Sequence, residues 1–353
     1  MRFHLAALPG QPVGGTEGNS ACAFTEKVRK FPAMMKDHEV IVYGDPQHEH
    51  DGEHVACYPE SEPPLFTPEA WESFNKAAAK AILKRAEPND VLGLMGGKCQ
   101  ESLVAALPHL RPVEYGIGYG GCFAPFKVFE SYAWMHTCYG QQRGTNTADG
   151  SFYDAVIPAY FEKEAFPAGG GGDYLLYVGR LTQRKGIEIV EETARRAGMR
   201  LVLAGEGDYV PKYGEAIGHV KPNERGPLMA GARALICPTI YIEPFGCIAV
   251  EAQLCGTPVI STDWGAMTET VEQGVSGWRC RRLGEFIWAA QNAGSLDREA
   301  IRKHARETWS LEAIAPRYDH YFQHLETLGG DGWYDDTPRA PAGERMEFSS
   351  GRQ

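Results

Sequence analysis

The sequence predicts an α/β protein with two Rossmann-like parallel-sheet domains that face each other across a cleft. Three observations support this fold class. Short apolar strands alternate with helical patterns in both halves, a glycine-rich linker, FPAGGGG, separates the halves at 166–172, and the length of 353 residues suits two domains. Strands that alternate with helices form parallel sheets, whose ligands bind beyond the carboxyl ends of the strands. We therefore expect the functional site in the cleft between the domains.

The first half, 1–165, contains four stretches typical of buried strands: RFHLAAL, EVIVYGD, DVLGLMG and VEYGIGY. Helical patterns lie between them, at 20–35, 68–85 and 100–107. These elements predict the N-terminal domain.

The second half, 173–310, repeats the pattern with the strands DYLLYVGR, RLVLAGEG, ARALICPT and TPVISTD. Helices are predicted at 185–198, after Pro244, and at 267–273. A further helix at 311–328 follows, which we consider an element that can return to the N-terminal domain. The tail at 329–353 is polar and rich in glycine and proline, and it is predicted to be mobile.

The composition excludes several classes of protein. A net charge of −11 argues against binding to a nucleic-acid backbone, and no apolar run is long enough to span a membrane. The beginning, MRFHLAALPG, is typical of a strand and not of a signal peptide. Nine cysteines without a CxxC spacing indicate reduced thiols. We expect a cytoplasmic protein without a transmembrane segment.

The stretch EPFGCIAVE carries a glutamate at each end, Glu243 and Glu251. Pro244 is expected to open a helix that stops near Gly256, because proline is tolerated in a first helical turn. At about 1.5 Å per residue, the two carboxylates stand roughly 10 Å apart along the axis, which suits a nucleotide sugar. The main-chain N–H groups of Phe245, Gly246 and Cys247 are expected to bind its phosphates. The alternative is a capping Glu243 and an ordinary, partly buried Glu251.

Two cations and a glycine turn follow strands in the same domain. Arg180 and Lys185 in VGRLTQRKG can hold a diphosphate and offset the charge of a leaving group; otherwise they are surface cations at a turn. Gly205 and Glu206 in AGEGD either allow a ligand to approach the backbone closely or form a tight turn.

The second half resembles the C-terminal domain of family 4 glycosyltransferases, which have the GT-B fold. The stretches that carry the resemblance lie in 173–280: YVGRLTQRKG, LVLAGEGD, HVKPNERGPLMAGARALICPT, EPFGCIAVEAQLCGTPVIST and GAMTETVEQGVSGW. The E-x7-E pattern of the family falls on Glu243 and Glu251. The resemblance implies that Glu243 contacts the donor sugar, that Glu251 contacts the ribose, and that Arg180 and Lys185 bind the diphosphate. It also implies transfer with retention and without a metal. The sequence does not distinguish UDP, GDP and ADP, and we expect a UDP- or GDP-linked donor. Carried over in the same way, the donor-binding residues are Gly14, Gly15, Gly179, Arg180, Lys185, Gly205, Glu206, Glu243, Pro244, Phe245, Gly246, Cys247 and Glu251.

The first half resembles the family more loosely, and the resemblance implies that it lies on the acceptor side of the cleft, opposite the donor side formed by the second half. Gly14 and Gly15 follow the first strand and look like the family's glycine-rich loop, although a plain turn is an equal interpretation. His136 is a candidate for the histidine that the family places near the reacting sugar carbon. A histidine flanked by aromatic residues is also typical of a core or an interface.

Two other motifs point to different chemistry. GIGYGG at 116–121 fits the dinucleotide pattern, but no clean helix and no spaced acid follow it. QHEHDGEH at 47–54 could hold a metal, yet it has the composition of a solvated loop. No Asp-x-Asp motif is present, so the sequence gives no metal-dependent glycosyltransferase pattern.

The sequence thus predicts a hexosyltransferase-like enzyme that moves a sugar from a nucleotide diphosphate sugar to an acceptor, with no cofactor. The acceptor could be a saccharide, a lipid, a small molecule or a protein. The alternatives are a non-catalytic sugar-nucleotide-binding protein and an epimerase or phosphorylase on the same fold, since a fold does not fix a function.

Overall fold

The structure, a computed structural model, describes residues 1–11, 13, 22–46, 50–58, 67–141 and 150–328, and its strands form two parallel sheets. In chain order the strands are Arg2–Ala6 (β1), Glu39–Gly44 (β2), Glu53–Ala56 (β3), Val91–Leu94 (β4), Arg111–Glu114 (β5), Phe126–Phe129 (β6), Ala155–Val156 (β7), Tyr174–Val178 (β8), Arg200–Ala204 (β9), Glu215–Gly218 (β10), Ala234–Cys237 (β11), Val259–Thr262 (β12) and Gly277–Cys280 (β13). The first sheet has the order β3-β2-β1-β4-β5-β6-β7, and the second has the order β10-β9-β8-β11-β12-β13. In each sheet the strand order reverses beside the strand that comes first in the chain, β1 or β8, as in Rossmann folds.

The helices cover both faces of each sheet. They are Ala23–Met34 (α1), Pro68–Ile82 (α2), Glu101–Ala106 (α3), Tyr132–Gln141 (α4), Ile187–Ala197 (α5), Pro222–Gly231 (α6), Cys247–Leu254 (α7), Met267–Thr270 (α8), Leu283–Asn292 (α9), Arg298–Trp309 (α10) and Leu311–Thr327 (α11). Helices α1 and α11 pack on one face of the first sheet, and α2 and α3 pack on the other. In the second sheet, α5 and α9 cover one face, while α6, α7 and α8 cover the other.

The last described helix, α11, belongs to the core of the first sheet although it follows the second sheet in the chain. Phe322 on α11 is 2% exposed, and its ring lies edge-on to Phe3 of β1 at 4.7 Å and to Phe31 of α1 at 6.3 Å. The chain therefore crosses between the domains twice, once after β7 and once between α10 and α11.

The two crossing segments are joined by main-chain hydrogen bonds. Phe161 N donates to Trp309 O at 2.9 Å, and Leu311 N donates to Phe161 O at 3.1 Å. A strand-like bridge between Phe161 and Ser310 accompanies them. Both crossings therefore pass through one point beside the cleft.

Several elements were not predicted from the sequence: the strands β3, β6, β10 and β13 and the helices α4, α6, α9 and α10. The predicted solvated loop at 47–54 was wrong for its last two residues, because β3 begins at Glu53. Strands β3 and β10 are sheet edges without a fully buried residue, so they lack the apolar run of a buried strand. After GIGYGG the chain enters another strand, β6, and not the helix that a dinucleotide site requires.

Replacing Phe322 by alanine is expected to destabilise the protein by about 3–5 kcal/mol, because a buried aromatic ring is lost from the core and a cavity remains. The neighbouring exposed Gln323→Ala is the matched control and should change stability by less than about 0.5 kcal/mol. Urea-induced unfolding followed by circular dichroism measures both variants. Equal effects would mean that α11 contributes no core packing.

Candidate functional site

Lys185 and Glu243 meet at the carboxyl edge of the second sheet. Lys185 ends a short 3-10 helix, Gln183–Lys185, after β8, and Glu243 lies in the loop after β11, the strand next to β8. The Lys185 ammonium donates a hydrogen bond to Oε1 of Glu243, and Thr239 Oγ1 donates to the same atom at 3.3 Å. Both charged side chains are mostly buried, at 20% and 14% exposure, so solvent screens this pair less than a surface ion pair.

Glu251 on α7 is held by a second cation, Arg225 of α6. The guanidinium forms a forked contact, with Nε 2.7 Å from Oε2 and Nη2 donating to Oε1 at 3.0 Å. Burial raises the pKa of Glu251, whereas Arg225 and Lys30 lower it and Glu26 raises it further. Lys30 and Glu26 belong to α1, so the carboxylate of Glu251 lies within electrostatic reach of the N-terminal domain.

The expected helix start at Pro244 was wrong. Helix α7 begins at Cys247, because Gly246 before it has a left-handed backbone with φ of 86°, which interrupts the helical run. A Cβ atom at Gly246 would also lie 2.6 Å from Cε of Met267. The unpaired main-chain N–H groups of a helix start therefore begin at Cys247 and not at Phe245.

Phe245 faces the protein interior. Its ring is 2% exposed and packs edge-on against Trp309 of α10, with the ring centroids 5.5 Å apart. Only its main chain remains for a ligand. The aromatic ring instead anchors the loop before α7 to the helix that leads back to the N-terminal domain.

Gly179 and Gly205 touch each other at the ends of β8 and β9. A Cβ atom on Gly205 would lie 1.9 Å from the carbonyl oxygen of Gly179, and both residues have positive φ, 149° and 147°. This close approach of two loops accounts for both glycines as a tight-turn device. The neighbouring predicted residues Arg180 and Glu206 are exposed, and their carbonyl oxygens accept hydrogen bonds from Tyr177 and Leu181.

No described contact links the candidate site residues of the first half to the Lys185–Glu243 pair. His136 is exposed on α4, and within the described ranges no hydrogen bond or ion pair joins it to another side chain. Gly14 and Gly15 lie outside the described residues, as does the tail at 329–353.

The N-terminal domain reaches the site through residues that the sequence analysis missed. Ser131 Oγ donates to the carbonyl oxygen of Pro244 at 2.7 Å. The next two main-chain N–H groups, of Tyr132 and Ala133, donate to the two carboxylate oxygens of Glu269, each at 2.9 Å. We call these five residues the interdomain clasp. A serine directly before a helix is a capping signal that could have located α4.

Two tyrosines bridge the domains beside the ion pair. Tyr119 OH donates to Tyr241 OH at 3.4 Å, and the Arg184 guanidinium stacks on the Tyr241 ring at 4.0 Å from its centroid. The Lys185 ammonium lies 5.1 Å from the same centroid. Because these contacts follow the carboxyl ends of strands in both sheets, those strand ends face each other across the cleft.

Glu114, at the end of β5, is hydrogen-bonded to the far end of the loop that carries Tyr119. Its fully buried carboxylate accepts hydrogen bonds from Phe123 N at 2.8 Å and Ala124 N at 2.9 Å. Burial raises its pKa to about 7; the two N–H donors and Lys127 act in the opposite direction, and Asp154 raises the pKa again.

Residues 172–293 match the family described as Glycosyl transferases group 1. The match runs from the linker to the end of α9, and it contains Arg180, Lys185, Glu243 and Glu251. The match therefore covers most of the second half of the chain, including all six strands of the second sheet.

The D-inositol 3-phosphate glycosyltransferase of Mycolicibacterium smegmatis is 31% identical over 168 residues, which cover 40% of this chain and 39% of that protein. The chain spans about a third of the length of the curated relatives that it matches.

Solved structures resemble the chain over most of its length. AviGT4, a glycosyltransferase involved in avilamycin A biosynthesis, matches 92% of this chain and 97% of its own with a TM-score of 0.66 at 22% identity. Anabaena HepE in complex with UDP and glucose matches 93% of this chain and 100% of its own with a TM-score of 0.66 at 14% identity. The predicted GT-B class, with two Rossmann-like parallel-sheet domains, is confirmed.

Two further properties concern the part of the chain that the structure describes. None of the helices there is long and apolar enough to cross a membrane. The same residues contain no group of three or more histidine, cysteine or acidic side chains arranged to hold a metal ion. His54 of the 47–54 segment instead bonds to His50 and to the carbonyl oxygen of Asp45, at 3.1 Å and 2.6 Å.

The carboxyl group of Glu114 is expected to make stability fall as pH rises. Its pKa is about 7 in the folded protein against 4.5 for the free side chain, so the folded state binds the proton more tightly. The stabilisation by the protonated Glu114 carboxyl is fully present below the pKa of the unfolded state, and it is lost as pH rises through the pKa of the folded state. Between about pH 5 and about pH 8 the loss amounts to about 2–3 kcal/mol.

Glu114→Gln keeps an acceptor for the two N–H groups and cannot titrate. The unfolding free energy of each protein is measured at about pH 5 and about pH 8. After the pH dependence of the other titrating groups is subtracted, the two values for the variant should agree within about 0.5 kcal/mol. The same pH dependence in both proteins would assign the titration to another residue.

Proposed function

We propose that this protein is a glycosyltransferase that moves a sugar from a nucleotide diphosphate sugar to an acceptor, with retention of configuration and without a metal. One observation carries the proposal: the contact between Lys185 and Glu243 at the carboxyl edge of the second sheet, inside the group 1 glycosyltransferase domain. The HepE complex with UDP and glucose makes a UDP-linked donor the first to test, followed by a GDP-linked one.

The proposed donor site divides into three parts. Glu251 binds the ribose, and Lys185 with Arg180 binds the diphosphate beside the amino end of α7. Glu243 contacts the sugar that is transferred. Glu243 is the ion-pair partner of Lys185, so a bound diphosphate would compete with this carboxylate for the ammonium.

The chemistry follows from these charges. Breaking the bond between the sugar and the diphosphate leaves negative charge on the leaving phosphate, and a partly buried ammonium stabilises that charge without reorganisation of water. A flexible, exposed Arg180 can add a second cation once the donor is bound. We propose that these groups fill the role that a divalent ion has in metal-dependent transferases. His136 stays a candidate that must first approach the donor.

A binding protein without catalysis is the second candidate, because the ribose contact proposed for Glu251 needs no catalytic group. Screening UDP- and GDP-sugars by thermal shift separates ligand binding from turnover, since a ligand at 100 times its dissociation constant stabilises by about 2.7 kcal/mol. Donor hydrolysis without acceptor then identifies a transferase. Binding without hydrolysis or transfer to any acceptor class would favour the binding protein.

Lys185→Ala is expected to lower kcat/KM for the donor by at least about 100-fold, the loss typical of removing one group that stabilises a developing charge. Release of the nucleotide diphosphate measures the rate. The matched control is Arg196→Ala, which removes an exposed cation paired with Glu192 on α5. Arg180→Ala should follow Lys185→Ala and not the control.

The same assay in EDTA tests metal independence. Turnover should persist, because cations of the protein neutralise the diphosphate. Complete loss that Mn²⁺ or Mg²⁺ restores would reject this part of the proposal and direct attention back to the histidine-rich segment at 47–54.

The two glutamates are expected to fail differently. Glu251→Gln should raise the donor KM and weaken binding of free UDP, because a ribose contact is equally strong in the ground and transition states. Glu243→Gln should lower kcat and alter sugar selectivity, while UDP still binds within about twofold of wild type.

Calorimetry with UDP measures both variants. Glu251 is buried against Arg225, so an unchanged melting temperature must first show that its variant is folded. Equal loss of UDP affinity in both variants would mean that the two acids only support the local fold.

A further inference from the structure

Ser131, directly before α4, and the first two residues of α4 form hydrogen bonds to the C-terminal domain. Ser131 is completely buried, and its hydroxyl oxygen accepts from Trp134 N at 3.0 Å while its proton is donated to Pro244 O at 2.7 Å. Pro244 directly follows Glu243 in the chain. The serine therefore fixes, from the N-terminal domain, the main chain that carries the Glu243 carboxylate.

Glu269 supplies the second half of the clasp from the opposite domain. The first N–H groups of a helix have no partner within the helix and carry its positive partial charge. A carboxylate that accepts from two of them, Tyr132 N and Ala133 N, makes charge-assisted hydrogen bonds of defined orientation. Glu269 follows β12, so this capping group reaches α4 only when the two domains are close together.

A third contact lies on the same loop. Ile242 packs against the buried group of Ile117, Phe129 and Trp134 in the N-terminal domain. The residues on both sides of Glu243 in the chain thus touch the N-terminal domain, whereas Glu251 and its partner Arg225 both belong to the C-terminal domain.

We infer that Ser131 and Glu269 are positioning residues, which hold Glu243 in place from the N-terminal domain and thereby make the placement of this carboxylate depend on closure of the cleft. The catalytic consequence rests on the proposed function. Opening exposes the α4 N–H groups and the Glu269 carboxylate to water, which replaces their hydrogen bonds at a small net cost, so the clasp is reversible. Nucleotide binding through Glu251 does not need the clasp, but sugar transfer does.

Hydrogen exchange of the free protein tests the clasp without any substrate. Glu269→Ala should accelerate exchange of the Tyr132 and Ala133 amides and of the peptide around Glu243, while the rest of α4 stays protected. Glu269→Gln retains one acceptor oxygen and should give an intermediate effect. The control is Glu272→Gln on the same segment, whose carboxylate is 58% exposed and lies 3.8 Å from His304 of α10.

Kinetics and calorimetry test the consequence. The value of kcat should fall by about tenfold in Glu269→Ala and by less in Glu269→Gln, while the dissociation constant of UDP changes by less than about twofold. Ser131→Ala should act in the same direction. The double variant Ser131→Ala/Glu269→Ala should be hardly worse than either single one, because both residues act through one closure.

Three results would overturn the inference: unchanged exchange around Glu243 in Glu269→Ala, equal loss of UDP affinity and kcat, or full additivity in the double variant. Failure of the proposed function gives a different result. The wild type would then neither bind nor turn over nucleotide sugars, while the exchange experiment would still report whether Glu269 restrains the Glu243 segment.

Discussion

The paired crossing segments at Phe161 are the constraint on which the rest of the structure depends. Two hydrogen bonds join Phe161 to Trp309 and Leu311, so both connections between the domains pass through one point. Rotation about such a point is a low-cost relative motion of two packed domains, whereas sliding would break the bonds. The ring of Trp309 also supports Phe245, which anchors the loop between Glu243 and α7. The point where the chain crosses between the domains and the candidate site thus share the Trp309 side chain.

The charged side chains of the candidate site are balanced by local ion pairs, and the net charge of −11 does not describe their surroundings. Glu243 pairs with Lys185 and Glu251 pairs with Arg225, each in a setting where burial strengthens the attraction. Such pairing leaves neither cation without a partner, which would be costly in a partly buried site. A bound anion would replace the carboxylate as the partner of the cation. An acidic protein can therefore still present cations locally to an anionic ligand.

The two halves of the chain carry different information about function. The match to group 1 glycosyltransferases covers 172–293, where the proposed donor contacts lie. The first half shares the fold, but its candidate histidine is exposed and makes no described contact with the ion pair. Its contribution to the site comes from the amino end of α4 and from Tyr119. These contacts act on the C-terminal domain itself, so the N-terminal domain shapes the site before any acceptor is present.

The sequence by itself determined the interior strands of both sheets, except β6, and the residue types of the candidate site. Buried parallel strands are continuous apolar runs, so they are readable in one dimension. Edge strands such as β3 and β10 bury little and left no such pattern. The contact between Lys185 and Glu243 required the order of the strands, which places β8 beside β11. Only the tertiary structure decided that α7 starts after Gly246, whose left-handed backbone interrupts the helical run. The clasp was also beyond the sequence, because a hydrogen bond between residues 131–133 and 269 exists only when two separately folded domains close upon each other.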